Sequence, residues 1–228
     1  MKKRMIGLLV AGLVVCCVVG LASGADVAAS AKLGTLGLGA DAAMALNDQF
    51  NCRVGLNYLP AFDISSFVDT GDEAGDVIQD LSIELEGLTV GAFADWHPAA
   101  GKFRVTAGLL LNSIEADITG TPNYTVTVAG RQYRATDASG DVTFASVSPY
   151  IGIGVGNPFK GEGQWFFTMD AGVMFHGTPE LDLRATASDP AAQAILDAEV
   201  EKQEQDAQDS IDAISVWPVL SAGVTYKF

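Results

Sequence analysis

Trp217-Pro218-Val219-Leu220-Ser221-Ala222-Gly223-Val224-Thr225-Tyr226-Lys227-Phe228 is the stretch on which the fold turns. Counting back in twos from Phe228 gives Tyr226, Val224, Ala222 and Leu220, while Lys227, Thr225, Gly223 and Ser221 fall between them. Successive side chains of a strand point to opposite faces, so one face of this ribbon is apolar and the other is small and polar.

Six more segments carry the same period. One sets Cys52, Val54, Leu56, Tyr58, Phe62 and Ile64 against Arg53, Gly55, Asn57 and Asp63. A second sets Phe103, Val105, Ala107, Leu109 and Leu111 against Arg104, Thr106, Gly108 and Asn112. A third has Val147, Pro149, Ile151, Ile153 and Val155 against Ser148, Tyr150, Gly152, Gly154 and Gly156. A fourth has Trp165, Phe167, Met169, Ala171, Val173 and Phe175 against Thr168, Asp170, Gly172 and His176, with Leu181 and Leu183 in phase. Leu36 to Met44 and Leu88 to Trp96 follow suit.

The second face decides the environment. A soluble sandwich turns its apolar face inward and covers the outside with Lys, Glu and Thr. In this chain the polar face is mainly Gly, Ser and Thr with single charges, and Gly is costly on an exposed strand surface. Small residues suit the crowded lumen of a narrow barrel whose apolar face meets lipid, and closure pairs every backbone donor and acceptor. The fold class is therefore all-β: a transmembrane antiparallel up-and-down β-barrel.

Aromatic spacing agrees with that reading. Trp217 and Phe228 lie eleven steps apart, which at ~3.3 Å per residue and a ~40° tilt is roughly 28 Å, close to the apolar band of such barrels. Phe50, Trp96, Phe103, Trp165, Phe175 and Trp217 are predicted to form the aromatic girdles, with Trp96, Phe103, Trp165 and Phe228 at one interface. Short connections at 46–49, 97–101 and 158–163 alternate with long ones near 65–80, 119–140 and 186–210, as expected of periplasmic turns and outer loops. The last long connection is helix-like from Pro190 to about Ile211, with Ile195, Leu196, Val200, Ala207 and Ile211 as a thin stripe. Parity requires eight strands, the first written weakly within Ala25 to Leu33 or formed by splitting Val27 to Met44.

The N-terminal segment supplies the export route. Lys2, Lys3 and Arg4 precede an uncharged stretch that ends in the small residues Ala22, Ser23, Gly24 and Ala25, the pattern of a secretory signal peptide over 1–24 ahead of a barrel domain over 25–228. Its apolar core is shorter than the ~20 residues a spanning helix needs. Removal of 1–24 takes three of the 13 bases and leaves 10 against 28 acids, a formal charge of −18. Such an acidic chain disfavours nucleic acid as a partner. Only Cys52 then remains, so no internal disulfide is expected.

The terminal alternation Leu220, Ala222, Val224, Tyr226 and Phe228 resembles the C-terminal signal by which outer-membrane proteins are taken up by their assembly machinery. Trp217-Pro218, Gly223 and Tyr226-Lys227-Phe228 also look like the end of the small OmpW-type and OmpA-like barrels. The resemblance implies a bacterial outer-membrane location, with lipid, lipopolysaccharide and that machinery as partners.

Projecting the alternation inward puts Asp41, Arg53, Asp95, Arg104, Asp170 and Lys227 in the lumen, three acids against three bases. Eight strands leave an interior just wide enough for side chains to fill, and buried charges persist when paired. An ion-pair network that plugs the lumen is the expectation, with a narrow passive channel as the alternative. Catalysis needs a nucleophile and a base within reach. With only His97, in a periplasmic turn, and His176, no enzyme, cofactor or metal is expected, and a lipid-modifying activity ranks below both readings. Asp63, Asp69, Asp72, Glu73, Asp76 and Asp80 form an acidic loop that fits solvated charge better than a calcium loop. A structural or surface-interaction role is the functional expectation.

Overall fold

The computed structural model describes residues 26–65, 78–122, 125–128, 131–211 and 215–228. The signal peptide expected over 1–24 and Asp69, Asp72, Glu73 and Asp76 of the acidic loop lie outside these residues. Twelve strands are present among them: β1 (Val27–Gly34), β2 (Gly37–Ala45), β3 (Phe50–Asp63), β4 (Ile78–Trp96), β5 (Phe103–Asn112), β6 (Glu115–Pro122), β7 (Thr125–Val128), β8 (Arg131–Thr143), β9 (Val147–Val155), β10 (Trp165–Phe175), β11 (Glu180–Ala187) and β12 (Val216–Lys227). One long helix, α1, spans Gln193–Ile211 after a short 3₁₀ turn at Pro190–Ala192.

Eight strands close into a ring. The order β1-β2-β3-β4-β5-β9-β10-β12 returns to β1, every neighbour antiparallel. The last strand closes the barrel against the first, with Ala28 opposite Lys227 and Gly34 opposite Ser221. A closed ring has no sheet edge, so no backbone group of the wall is left to face hydrocarbon unpaired. Chain direction alternates around the ring, which places both ends of the barrel domain and the short connections 46–49, 97–102 and 156–164 at one rim.

The eighth strand arises from a split of Val27–Met44. β1 and β2 pair from Val27 opposite Met44 to Gly34 opposite Gly37, across a two-residue turn of Thr35 and Leu36. Gly37 sits at φ 84°, a left-handed conformation that glycine adopts without steric cost.

Side-chain burial follows the period. Along β9 the pattern is a strict alternation, with Ile151 and Ile153 exposed and Ser148 and Tyr150 buried. The exposed set on the ring is the apolar one: Leu38, Tyr58, Leu109, Phe167, Met169, Leu220 and Val224 all face out. In water this surface would be an aggregation hazard, whereas in a bilayer it is the solvated surface.

A second sheet rises from the rim opposite the termini. The upper part of β4 pairs with β6, β6 with β8, and β8 with both β7 and β11. Leu181 and Leu183 were expected to continue the lipid face of the strand before them. They belong to β11, which starts after a break at Gly177 (φ 69°) and stands outside the ring. Leu81, Ile83, Leu85, Ala116, Ile118 and Val142 of this extension pack with Leu36, Phe93, Leu110, Tyr150, Met174 and Val219 from inside the ring. One apolar core thus occupies the outer end of the barrel and the base of the extension.

Candidate functional site

The lower half of the lumen is charged. Arg53 on β3 lies at its centre, 7% exposed. Its Nε and Nη2 donate to the two carboxylate oxygens of Asp95 on β4 at 2.9 and 3.2 Å, and its Nη1 donates to Asp41 on β2 at 3.1 Å. Arg104 on β5 donates through Nη2 to both oxygens of Asp170 on β10 at 2.7 Å, and through Nη1 to the Gly156 carbonyl at 2.7 Å. Arg53 Nη2 approaches Asp170 to 3.8 Å, so the two clusters join. The Thr106 hydroxyl adds a 2.6 Å hydrogen bond to Asp95. Planar guanidinium groups suit this task, because each presents a fork of donors that matches a carboxylate.

Five of the six predicted lumen residues therefore meet, and one does not. Lys227 is held at the lower rim, 3.3 Å from Asp26, because its position at the last residue of β12 sets it beside the start of β1. Lys32 on β1 supplies the third cation, with Nζ 2.8 Å from Asp41 Oδ1. The signal for Lys32 was present in its phase: Ser30 and Lys32 alternate with Ala29, Ala31 and Leu33. The network holds three acids and three bases and is neutral, which is the condition under which buried ions are tolerated.

The glycines of the inner face make room for these groups. A side chain at Gly55 would collide with the Asp41 carboxylate, and one at Gly154 would stand 2.7 Å from Asp170 Oδ1 and 2.9 Å from Arg104 Nε. Gly152 and Gly172 leave the same kind of space for the Tyr150 hydroxyl. Phe93 covers Arg53 from above, the guanidinium carbon 4.7 Å from the ring centroid, a cation–π contact. Two voids flank the network, one toward Tyr150 and Leu110 and one toward His97 and Thr225. Each holds about 20 Å³, space for roughly one water.

His97 closes the lower end. It lies in the turn after β4, which folds it under the barrel and leaves it 1% exposed. Asn51 Nδ2 lies 2.9 Å from its Nε2, and its Nδ1 lies 3.2 Å from the Phe103 carbonyl, so both ring nitrogens have polar partners. His176, also 1% exposed, lies edge-on to Phe144 at a centroid distance of 4.9 Å.

Of the predicted girdle residues, Phe50, Trp96, Phe103, Trp165 and Phe175 are exposed on the outer wall. Phe50 pairs with Trp96, and Trp165, Tyr226 and Phe228 stack edge-to-face in series at 4.9 and 5.1 Å. Trp217 is not among them. Eleven steps from Phe228 is an odd count, so it points inward and meets Phe144 at 6.1 Å. Of the assembly-signal residues, Leu220, Val224 and Phe228 face outward and exposed.

The outer face of the extension is acidic. Asp63, Glu84, Asp117, Asp141 and Asp182 stand directly opposite one another across β3, β4, β6, β8 and β11, and Glu86, Glu115, Thr143 and Glu180 form the next row. Arg184 answers two of them, Asp141 at 3.2 Å and Asp182 at 2.9 Å. Asp63 is further fixed by Ser65 and Ser82, and Asp80 lies on β4.

A closed eight-stranded ring with an apolar exterior and a lumen charged in its lower half is a transmembrane β-barrel of the outer-membrane class. Two solved structures share the fold: Acinetobacter baumannii CarO, 19% identical over 88% of this chain and 97% of that one with a TM-score of 0.54, and Acinetobacter baumannii CarO2, 19% identical over 89% and 98% with a TM-score of 0.57. No protein-family model and no curated protein sequence matches the chain.

Proposed function

We propose that the protein is an integral barrel of the bacterial outer membrane whose lumen is sealed and whose acidic extension is its interaction surface. The observation that carries this reading is the joining of Lys32, Asp41, Arg53, Asp95, Arg104 and Asp170 into one neutral cluster from six strands of the ring. The apolar core above it supports the same reading, since a solute would have to cross two fillings of opposite character. Outer-membrane lipid and lipopolysaccharide surround the wall, and the terminal strand addresses the chain to the assembly machinery. Purified protein in planar bilayers tests the seal. The expected result is a membrane that stays at its baseline conductance, and stable single-channel steps would replace the sealed barrel by a narrow passive channel.

A further inference from the structure

β11 ends the extension sheet, and an edge strand offers unpaired amides and carbonyls to any extended chain. In this structure α1 answers them with side chains. Gln208 accepts from the Leu181 amide at 3.0 Å and donates to the Pro179 carbonyl at 2.8 Å. Gln193 does the same fifteen residues earlier on the helix: it accepts from the Ala187 amide at 2.9 Å and donates to the Ala185 carbonyl at 2.9 Å. Glu204 accepts from the Leu183 amide at 2.8 Å. A glutamine side chain ends in the same amide group as the backbone, so each of these two residues makes the paired donor-and-acceptor contact that a neighbouring strand makes.

The cover is poorly matched to its seat. α1 carries Asp197, Glu199, Glu201, Glu204, Asp206 and Asp209 against a single Lys202, and it lies on the strand that ends the carboxylate rows at Asp182 and Glu180. Among its described apolar side chains Leu196 alone is fully buried, 1% exposed, while Ile195 faces out at 44%. Like charges brought together weaken a contact, and opposite charges steer association.

We infer that the β11 edge is a strand-acceptor surface, masked by α1, for an extended polypeptide of a partner protein in which apolar and basic residues alternate. A strand added there sets one face of its side chains beside Leu181, Leu183 and Ala185 and the other beside Glu180, Asp182 and Arg184, the last already engaged by Asp141 and Asp182. Backbone pairing supplies the affinity and the alternating charges supply the choice of partner.

The test uses the full chain in detergent micelles and a fluorescent octapeptide of alternating Val and Lys, read by anisotropy. Binding is expected, and the triple variant Gln193→Ala/Glu204→Ala/Gln208→Ala, its barrel checked by heat-modifiable gel migration, is expected to bind about tenfold tighter because the five competing hydrogen bonds of these three side chains are gone. At saturation, hydrogen exchange should slow at Leu181, Leu183 and Ala187 in the variant and quicken along α1 in the unaltered chain. An octapeptide N-methylated at alternate residues, or one of alternating Val and Glu, should bind far more weakly. Equal binding of the N-methylated peptide would leave only charge attraction and overturn strand addition. Equal binding of the Val-Glu peptide, no gain in the triple variant, or an α1 that stays protected at saturation would each overturn it as well.

Discussion

The two halves of β4 have opposite polarity on the same two faces. From Leu88 down to Trp96 the outward residues are Leu88, Val90, Ala92, Ala94 and Trp96, and the inward ones are Thr89, Gly91, Phe93 and Asp95. Above Leu88 the outward residues become Glu86, Glu84 and Ser82, while the inward ones become Leu85, Ile83 and Leu81. The backbone runs on as one strand, and what changes is its solvent. Lipid outside demands apolar side chains and leaves the polar ones to pair within the lumen. Water outside restores the ordinary arrangement, with carboxylates solvated and leucines in a core. The inversion places the edge of the hydrocarbon between Leu88 and Glu86, while the apolar filling that begins within the ring at Phe93 and Leu110 continues past that edge into the core of the extension.

Removal of the central cation is the strongest way to break the lower half. Arg53→Met keeps the bulk but strands Asp95 and Asp41 beside each other, and a buried pair that loses one partner costs about 3–5 kcal/mol. The expected outcome is a large fall in the urea midpoint of the heat-modifiable band. A midpoint within experimental scatter of the unaltered chain would mean that water already solvates these carboxylates. The boundary itself is sharpened by a pair of substitutions on the outward face. Ala92→Lys puts a cation at mid-height in lipid and should cost roughly 2–4 kcal/mol. Glu84→Lys lies two turns of the pleat above the boundary, between Asp63 and Asp117, and should change stability by no more than about 0.5 kcal/mol. Equal costs at the two positions would dissolve the distinction.

Much of this was legible in the residues, and the failures have physical causes. The outward run beginning at Leu88 already marked the lower half of β4, because lipid permits no exception to the alternation. The split of Val27–Met44 was harder to see. Its turn is only Thr35 and Leu36, without the polar cluster that usually announces a hairpin, and the alanines of β1 and β2 blur the contrast between faces. A weakly written β1 hides the inward phase of Lys32, and the period of β12 alone offers Lys227 in its place. Leu181 and Leu183 misled for the opposite reason: they hold the phase of β10 across Gly177 although the chain has left the membrane. Trp217 was placed by height alone, whereas its odd separation from Phe228 assigns it to the inner face. Nothing in the sequence period could show that Gln193 and Gln208 meet the edge of β11, since that contact depends on how the helix folds back along the strand that precedes it.

The smallest expected effect lies wholly in the upper region, where two carboxylates of one row respond to pH in opposite directions. Partial burial, and then a carboxyl hydrogen bond shared with Asp141 and the charges of Glu115, Asp141 and Glu86, raise Asp117 above the usual carboxylate value. The folded chain therefore holds this proton more tightly than the unfolded one, and the stability Asp117 adds at low pH is lost as pH rises through its raised folded value. Hydrogen bonds from Ser65 and Ser82 lower Asp63, so its contribution is present above the ordinary value and is lost as pH falls through the lowered one. Asp117→Asn should accordingly slow hydrogen exchange at Ile118 and Gly140 relative to the unaltered chain at pH 7, and the gain should vanish on acidification. Asp63→Asn should quicken exchange at Ile64 and Ile83 at pH 7, and that loss should vanish on acidification. Both effects are modest because the groups are solvated, and neither should reach the ring strands at Ala107 or Ile151. Differences of the same sign for the two variants would show that the acidic face acts as one undivided field, with no distinction between a carboxyl crowded by its neighbours and one held by hydroxyls.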